Sequence, residues 1–265
     1  MRSSSSRRAL VLAGHGSMFG PESALPIYQH AASLRKTGMF AAVYECFWKE
    51  EPSYRNVLYE VEEECVYLVP DFLSHGYFTR EVLPREFGLS GPITRWRSSE
   101  IRYCEPPGRH PRMADAIVEQ ALRALGERNC RDVTLLLVAH GTDRNENSAQ
   151  TAWEQAERIR RTGRFVECGV AFLEQEPSIS GWRDLVSSRD LVVVPFFLSE
   201  GKHSYTDIPR MMGLARHPRD PEFRNPQTTE GGRRVYYAGS AGMAPTLDQV
   251  ILAQVEAFDE AHSMA

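Results

Sequence analysis

No stretch of the 265 residues approaches the roughly twenty consecutive apolar residues that a membrane-spanning helix needs, which excludes a helical span. Cysteine is sparse. The five (Cys46, Cys65, Cys104, Cys130 and Cys168) include no C-x-x-C pair and lack the density of a disulfide framework, so structural thiols in a reducing compartment are expected. Excess positive charge is also missing: the formal net charge is −4, which argues against nucleic acid as a partner, since phosphates call for a strongly basic face. The opening MRSSSSRRALVLAG has a basic start, but its apolar patch ends at His15, short of a secretory h-region. A polar tail leading into a strand, and a cytoplasmic protein, are the expectation.

What the chain does have is internal repetition. LAGHGS (12–17) returns as LVAHGT (137–142), a shift of 125 from His15 to His140. The same shift pairs KTGMF with RTGRF, EPS (51–53) with EPS (176–178), VPDFLSHG (69–76) with VPFFLSEG (194–201), and Pro84 with Pro209. One ungapped shift carrying so many landmarks identifies a tandem duplication, with an N-terminal copy over 1–127 and a C-terminal copy over 128–265.

Within the second copy, VTLLLVAH is a short continuous apolar run rich in β-branched residues, the pattern of a strand buried on both faces of a parallel sheet. Helical spacing of Ala149, Ala152, Trp153, Ala156 and Ile159 predicts a helix over 148–161, capped by Asn147 or Ser148, with Trp153 and Ile159 in the core. VECGVAFL, LVVVPFF and VYYAGSAG read as further strands, and 245–262 as a closing helix. ALVLAG, AVYECFW, CVYLVPDF and IRYCE, with a helix over 112–125, repeat the scheme in the first copy. The predicted class is α/β: two subdomains, each a four-stranded parallel sheet flanked by helices, with a cleft between them.

In open parallel sheets, ligands bind beyond the carboxyl ends of the strands. His140 closes the first strand of the second copy, Glu174 the second, and His203 follows the third, so three residues distant in sequence are predicted to share one rim. Two imidazoles and a carboxylate suit divalent cobalt, iron, nickel or zinc, and an imidazole near neutral pH can equally serve as a base. Spacing alone leaves both roles open. Glu200 reads as an acceptor behind such a ligand set, and Asp207 either as that or as a cap for the next helix. GHGS lacks the spacing of a phosphate cradle. The arginines of ERIRRTGR read as a solvated helix end, the alternative being attraction of a polyanion. Shifted back by 125, His140 meets His15, but Glu174 meets Lys49 and His203 meets Phe78, neither of which can donate a lone pair to an ion. One working site, in the second copy, is the simplest reading. His75, opposite Glu200, is the residue through which the first copy could regain some chemistry.

At LVAHGT, AFLEQEPSI and VVPFFLSEGKHSYTDIP, and over most of its length as two copies, the sequence resembles the CbiX/SirB family of class II chelatases. The resemblance implies ATP-independent insertion of Co²⁺ or Fe²⁺ into sirohydrochlorin, in cobalamin or sirohaem biosynthesis, by a lyase with no tightly bound cofactor. Cobalt, iron or nickel would be substrate. It further implies that His140 and His203 bind the metal and help remove the pyrrole protons, with Glu174 as third ligand or proton acceptor. FLEQEPS has one residue fewer between its glutamates than that family suggests, which leaves Glu174 and Glu176 as alternatives for the rim. Lys202, Arg144 and Arg210 would then orient the substrate carboxylates. A monomer or weak homo-oligomer is expected. The competing reading is a carrier of tetrapyrrole or metal that does not catalyse.

Overall fold

The computed structural model describes residues 8–18, 24–141, 146–229 and 231–263. Two five-stranded sheets are present, and each belongs to its own compact unit. In the first sheet, β1 (Arg8–Gly14), β2 (Ala42–Phe47), β3 (Cys65–Pro70), β4 (Ile93–Trp96) and β5 (Ser99–Tyr103) lie in the order β2-β1-β3-β5-β4. In the second, β6 (Val133–Ala139), β7 (Glu167–Phe172), β8 (Asp190–Pro195), β9 (Gln227–Thr228) and β10 (Arg234–Tyr237) lie in the order β7-β6-β8-β10-β9. Four strands of each sheet are parallel, as the repeat predicts. The fifth, β4 or β9, pairs antiparallel at the edge and is an addition to that expectation.

The helices are α1 (Leu25–Lys36), α2 (Tyr54–Glu60), α3 (Leu83–Glu86), α4 (Met113–Leu125), α5 (Glu146–Arg161), α6 (Trp182–Leu185), α7 (Ile208–Met211) and α8 (Leu247–His262). Parallel neighbours require crossovers, which these helices and their loops supply. All seven residues of β6 are buried, as are all six of β8, which is why both read as largely apolar runs, Thr134 and Asp190 being the polar members. Helix α5 begins two residues earlier than predicted, so Asn147 and Ser148 fall in its first turn and not at its cap. Ile159 is buried on α5 as expected, but Trp153 is 41% exposed and meets Phe172 edge-on at 6.2 Å, so it belongs to the margin of the core.

The packing boundary differs from the repeat boundary. One unit runs to His110 and takes up Leu247 onward; the other spans Pro111–Thr246. Helix α4 therefore packs with β8 and α5 of the later sheet, and α8 with β3 and α1 of the earlier one. Each copy's closing helix covers the sheet of the other copy. Within the first unit, Gln254 of α8 donates to the carbonyls of Glu105 (2.9 Å) and Pro106 (2.8 Å). In the second, Thr246 caps onto Glu119 of α4 through both its N–H and its hydroxyl.

Each unit has its own apolar core, one around Val11, Tyr54 and Phe87, the other around Trp182, Val193 and Ile208. The cysteines are free thiols, and burial pushes Cys168 up to about 12, which removes the thiolate that reactivity requires.

Asp71, after β3, is an exception to apolar packing: it is 3% exposed and its Oδ1 has no hydrogen-bond partner among the described residues. The second copy places Phe196 there. Burial raises the Asp71 carboxyl to about 6, against a smaller downward pull from His30. Because the folded-state value lies above the unfolded one, the native protein binds the extra proton between about pH 4 and 6, and stability falls as pH rises through that window. The charge therefore costs about 3 kcal/mol at neutral pH. Asp71→Asn is expected to raise the urea midpoint at pH 7 and to lose that advantage near pH 4. A pH-independent difference would show that the carboxyl is not desolvated.

Candidate active site

In the second sheet the chain leaves β6 for β7 on one side and then crosses to β8 on the other, so the loops after β6 and β8 part at their carboxyl ends and leave a crevice there. His140 follows β6 and His203 opens a π-helical turn (His203–Asp207) that runs into α7. Their rings meet edge to face, with centroids 5.0 Å apart at 88°. Phe197 lies under His203, nearly parallel at 5.9 Å. The position of Phe197 is in turn held by Gly242, whose N–H donates to its carbonyl at 2.9 Å.

The hydrogen bonds decide which ring nitrogens are available. His140 Nδ1 lies 2.8 Å from the Gly141 carbonyl, which only accepts, so Nδ1 carries the proton and the lone pair is on Nε2. His203 Nδ1 likewise donates to Asp207 Oδ2 at 2.8 Å, leaving Nε2 unclaimed among the described residues. A carboxylate or carbonyl behind an imidazole is the usual means of fixing the tautomer of a metal-binding or proton-accepting histidine. Asp207 makes no capping bond to α7; it holds His203 instead, with Arg210 Nη2 3.9 Å from its other oxygen.

Glu174 Oε2 stands 3.5 Å from His140 Nδ1, and the carboxylate is largely exposed. Glu176 turns away and accepts the Ser178 N–H at 2.8 Å, so Glu174 is the glutamate on the rim. Among the described residues, no three His, Cys, Asp or Glu side chains are disposed to hold an ion. The arrangement is thus an open two-nitrogen site with a carboxylate alongside, not a closed cage. Such a site can take up a cation loosely and release it, or accept protons at Nε2. Lys202 and Arg210 are exposed beside His203; Arg144 lies outside the described residues. Arg158, Arg160 and Arg161 pair with Glu154 and Glu157 of their own helix, which makes ERIRRTGR a solvated face.

The CbiX family model matches residues 9–124 and again 134–257. The chain belongs to the CbiX family. A probable sirohydrochlorin cobaltochelatase of Halobacterium salinarum is 40% identical over 263 residues, covering 92% of this chain and 89% of that protein. DR2241 from Deinococcus radiodurans, a multi-domain protein with structural similarity to chelatases and two additional novel domains, superposes with a TM-score of 0.80 at 34% identity. That match takes in 94% of this chain and 54% of DR2241, so the chain spans about half its length. The sirohydrochlorin chelatase SirB from Bacillus subtilis subspecies spizizenii, in complex with cobalt, has the same fold, with a TM-score of 0.68 at 14% identity over 97% of each chain.

The two CbiX copies repeat the site's architecture but not its chemistry. His15 Nδ1 donates to Gly16 as His140 does to Gly141, at 2.9 Å. Its ring meets Phe78 at 4.8 Å and 74°, and Phe72 stacks on Phe78 at 5.9 Å, the arrangement of His140, His203 and Phe197 with one imidazole exchanged for a phenyl ring. Lys49 stands near the Trp48 ring where the second CbiX copy has Glu174. His75 pairs with Glu105 at 2.7 Å. Sequence reasoning missed the ring of Phe197 and left open whether Asp207 caps the helix or orients His203. The first was signalled by Phe72 and Phe197 at the common shift of 125; the second needed the π-helical turn.

Proposed function

We propose that the protein inserts a divalent metal, Co²⁺ or Fe²⁺, into sirohydrochlorin without ATP, in cobalamin or sirohaem biosynthesis. The observation that carries this reading is the pair of imidazoles whose Nε2 atoms are uncommitted among the described residues, a pair present in the second copy and absent from the first. Metallation requires two pyrrole N–H protons to leave while four ring nitrogens replace the water around the ion. A neutral imidazole Nε2 can accept a proton or hold the cation, and the half-exposed rings of His140 and His203 allow these to happen in turn. Glu174 balances charge beside His140. Lys202, Arg144 and Arg210 are assigned to the substrate carboxylates, for which a cationic rim offers charge-assisted hydrogen bonds. The names of the Halobacterium relative and of the SirB structure support the substrate class.

The test is an absorbance assay of purified protein with sirohydrochlorin and Co²⁺ or Fe²⁺. A rate above the non-enzymatic background, continuing past one equivalent of product per chain, is expected. Product formation that stops at one equivalent would favour the carrier reading, and no rate above background would remove catalysis altogether. No helix among the described residues is long and apolar enough to cross a membrane.

A further inference from the structure

The two copies differ sharply just behind the histidine rim. Where the first copy has His75, the second has Glu200, at the shift of 125. After β5 and β10 the correspondence becomes 134: Gly108 and Gly242 (242 − 108 = 134) sit against the backbones of Leu73 and Leu198 in the same way. Glu105 therefore corresponds to Gly239 (239 − 105 = 134). In the first copy Glu105 fills the position and pairs with His75 at 2.7 Å and with Arg109 at 2.8 Å. In the second copy the carboxylate is on the facing loop, as Glu200, and the residue opposite has lost its side chain.

What remains is a cavity of about 380 Å³ lined by Gln120, Arg123, Glu200, Asn225, Tyr237 and Gly239. Two acceptor oxygens stand against Gly239 on its inner wall. Glu200 Oε1 lies 2.9 Å, and Gln120 Oε1 3.2 Å, from the point at which a Cβ on Gly239 would stand. Gln120 is only 5% exposed and forms no hydrogen bond with other described residues, whereas its counterpart at the same shift, Gln254, is fully engaged with backbone carbonyls. Glu200 is oriented by the Tyr205 hydroxyl and by the Ser240 N–H at 3.4 Å. Asn225 is spent on both polar groups of the Tyr237 backbone. Glu200 Oε1, which receives only the long Ser240 N–H contact, and Gln120 Oε1, which has no donor among the described residues, thus face one void, an arrangement that a cation or its water would satisfy. Arg123 is exposed at the mouth.

We propose that this cavity is a second cation site, binding a hydrated divalent ion through Glu200 Oε1 and Gln120 Oε1. One carboxylate, one carboxamide and retained water form an all-oxygen set, which suits hard divalent ions that dehydrate reluctantly. Glu200 is three residues before His203 on the same loop, so an ion held here waits beside the imidazole pair. That staging role rests on the chelatase reading; cation binding itself does not. Burial raises the Glu200 carboxyl, so occupancy falls as pH drops.

The probe is Mn²⁺, whose free aqua ion is counted directly by electron paramagnetic resonance. Full-length wild type and His203→Ala should each take up one Mn²⁺. Glu200→Gln, and independently Gly239→Ala, whose methyl occupies the void without altering charge, should weaken uptake about tenfold or more. Circular dichroism confirms that each variant is folded. No uptake by wild type at millimolar Mn²⁺, undiminished uptake by either cavity variant, or loss of uptake in His203→Ala would overturn the proposal. Mn²⁺ bound at Glu200 in a protein that never metallates sirohydrochlorin would leave the cation site standing and remove the chelatase reading alone.

Discussion

His203→Ala should lower the rate of metal insertion by about 10²- to 10⁴-fold, the range associated with losing a positioned proton acceptor. The ring it removes is one of the two imidazoles of the site, is held by Asp207 at 2.8 Å, and stands 5.0 Å from its partner, so its loss leaves a single imidazole to take both protons and ion. His15→Ala is the matched control. It deletes the corresponding imidazole of the first copy, whose neighbour is Phe78 rather than a second donor, and should leave the rate close to wild type. Initial rates from the sirohydrochlorin absorbance assay decide the matter. Equal losses in the two variants would place the chemistry outside the second copy.

Gly242→Ala should destabilise the protein by about 3 kcal/mol or more, the upper part of the range for overpacking. The added Cβ would lie 2.2 Å from the Leu198 carbonyl oxygen and 2.3 Å from Leu198 Cα, and because both are backbone atoms no rotamer change relieves the contact. The segment that must move carries Phe197, on which His203 stacks, so activity should fall at temperatures where the variant is still folded. Gly181→Ala is the control. Nothing lies within 4 Å of its Cβ and its φ is −89°, so a change within about 0.5 kcal/mol is expected. Urea unfolding of the three proteins gives the comparison; a Gly242→Ala midpoint equal to wild type would mean the close approach is not maintained in solution.

Much of this site was legible in sequence because the duplication supplied its own alignment. His140, Glu174 and His203 each follow an apolar run, and a parallel sheet delivers such positions to one edge whatever their separation along the chain. Glu174 and Glu176 could not be separated that way, since they are two residues apart in one loop and only a hydrogen bond, Ser178 N–H to Glu176, distinguishes them. Asp207 was ambiguous for a similar reason. At i+4 from a histidine, in front of a helix, it could cap or orient, and the π-helical turn brings it to Nδ1. The edge strands β4 and β9 escaped notice because they are short and half-exposed, with too little apolar periodicity to mark them.

Local pattern and repetition were enough by themselves to determine an α/β chain written twice, the buried strands, and that His140, Glu174 and His203 are all kept in only one copy, because these depend on residue type and spacing. Tertiary structure alone decided that each closing helix covers the other copy's sheet, that the Nδ1 atoms of His140 and His203 are both committed, and that Gly239 opens a void beside Glu200. Those outcomes depend on which backbone and side-chain atoms come within a few ångströms across long sequence separations, a quantity that side-chain periodicity does not encode.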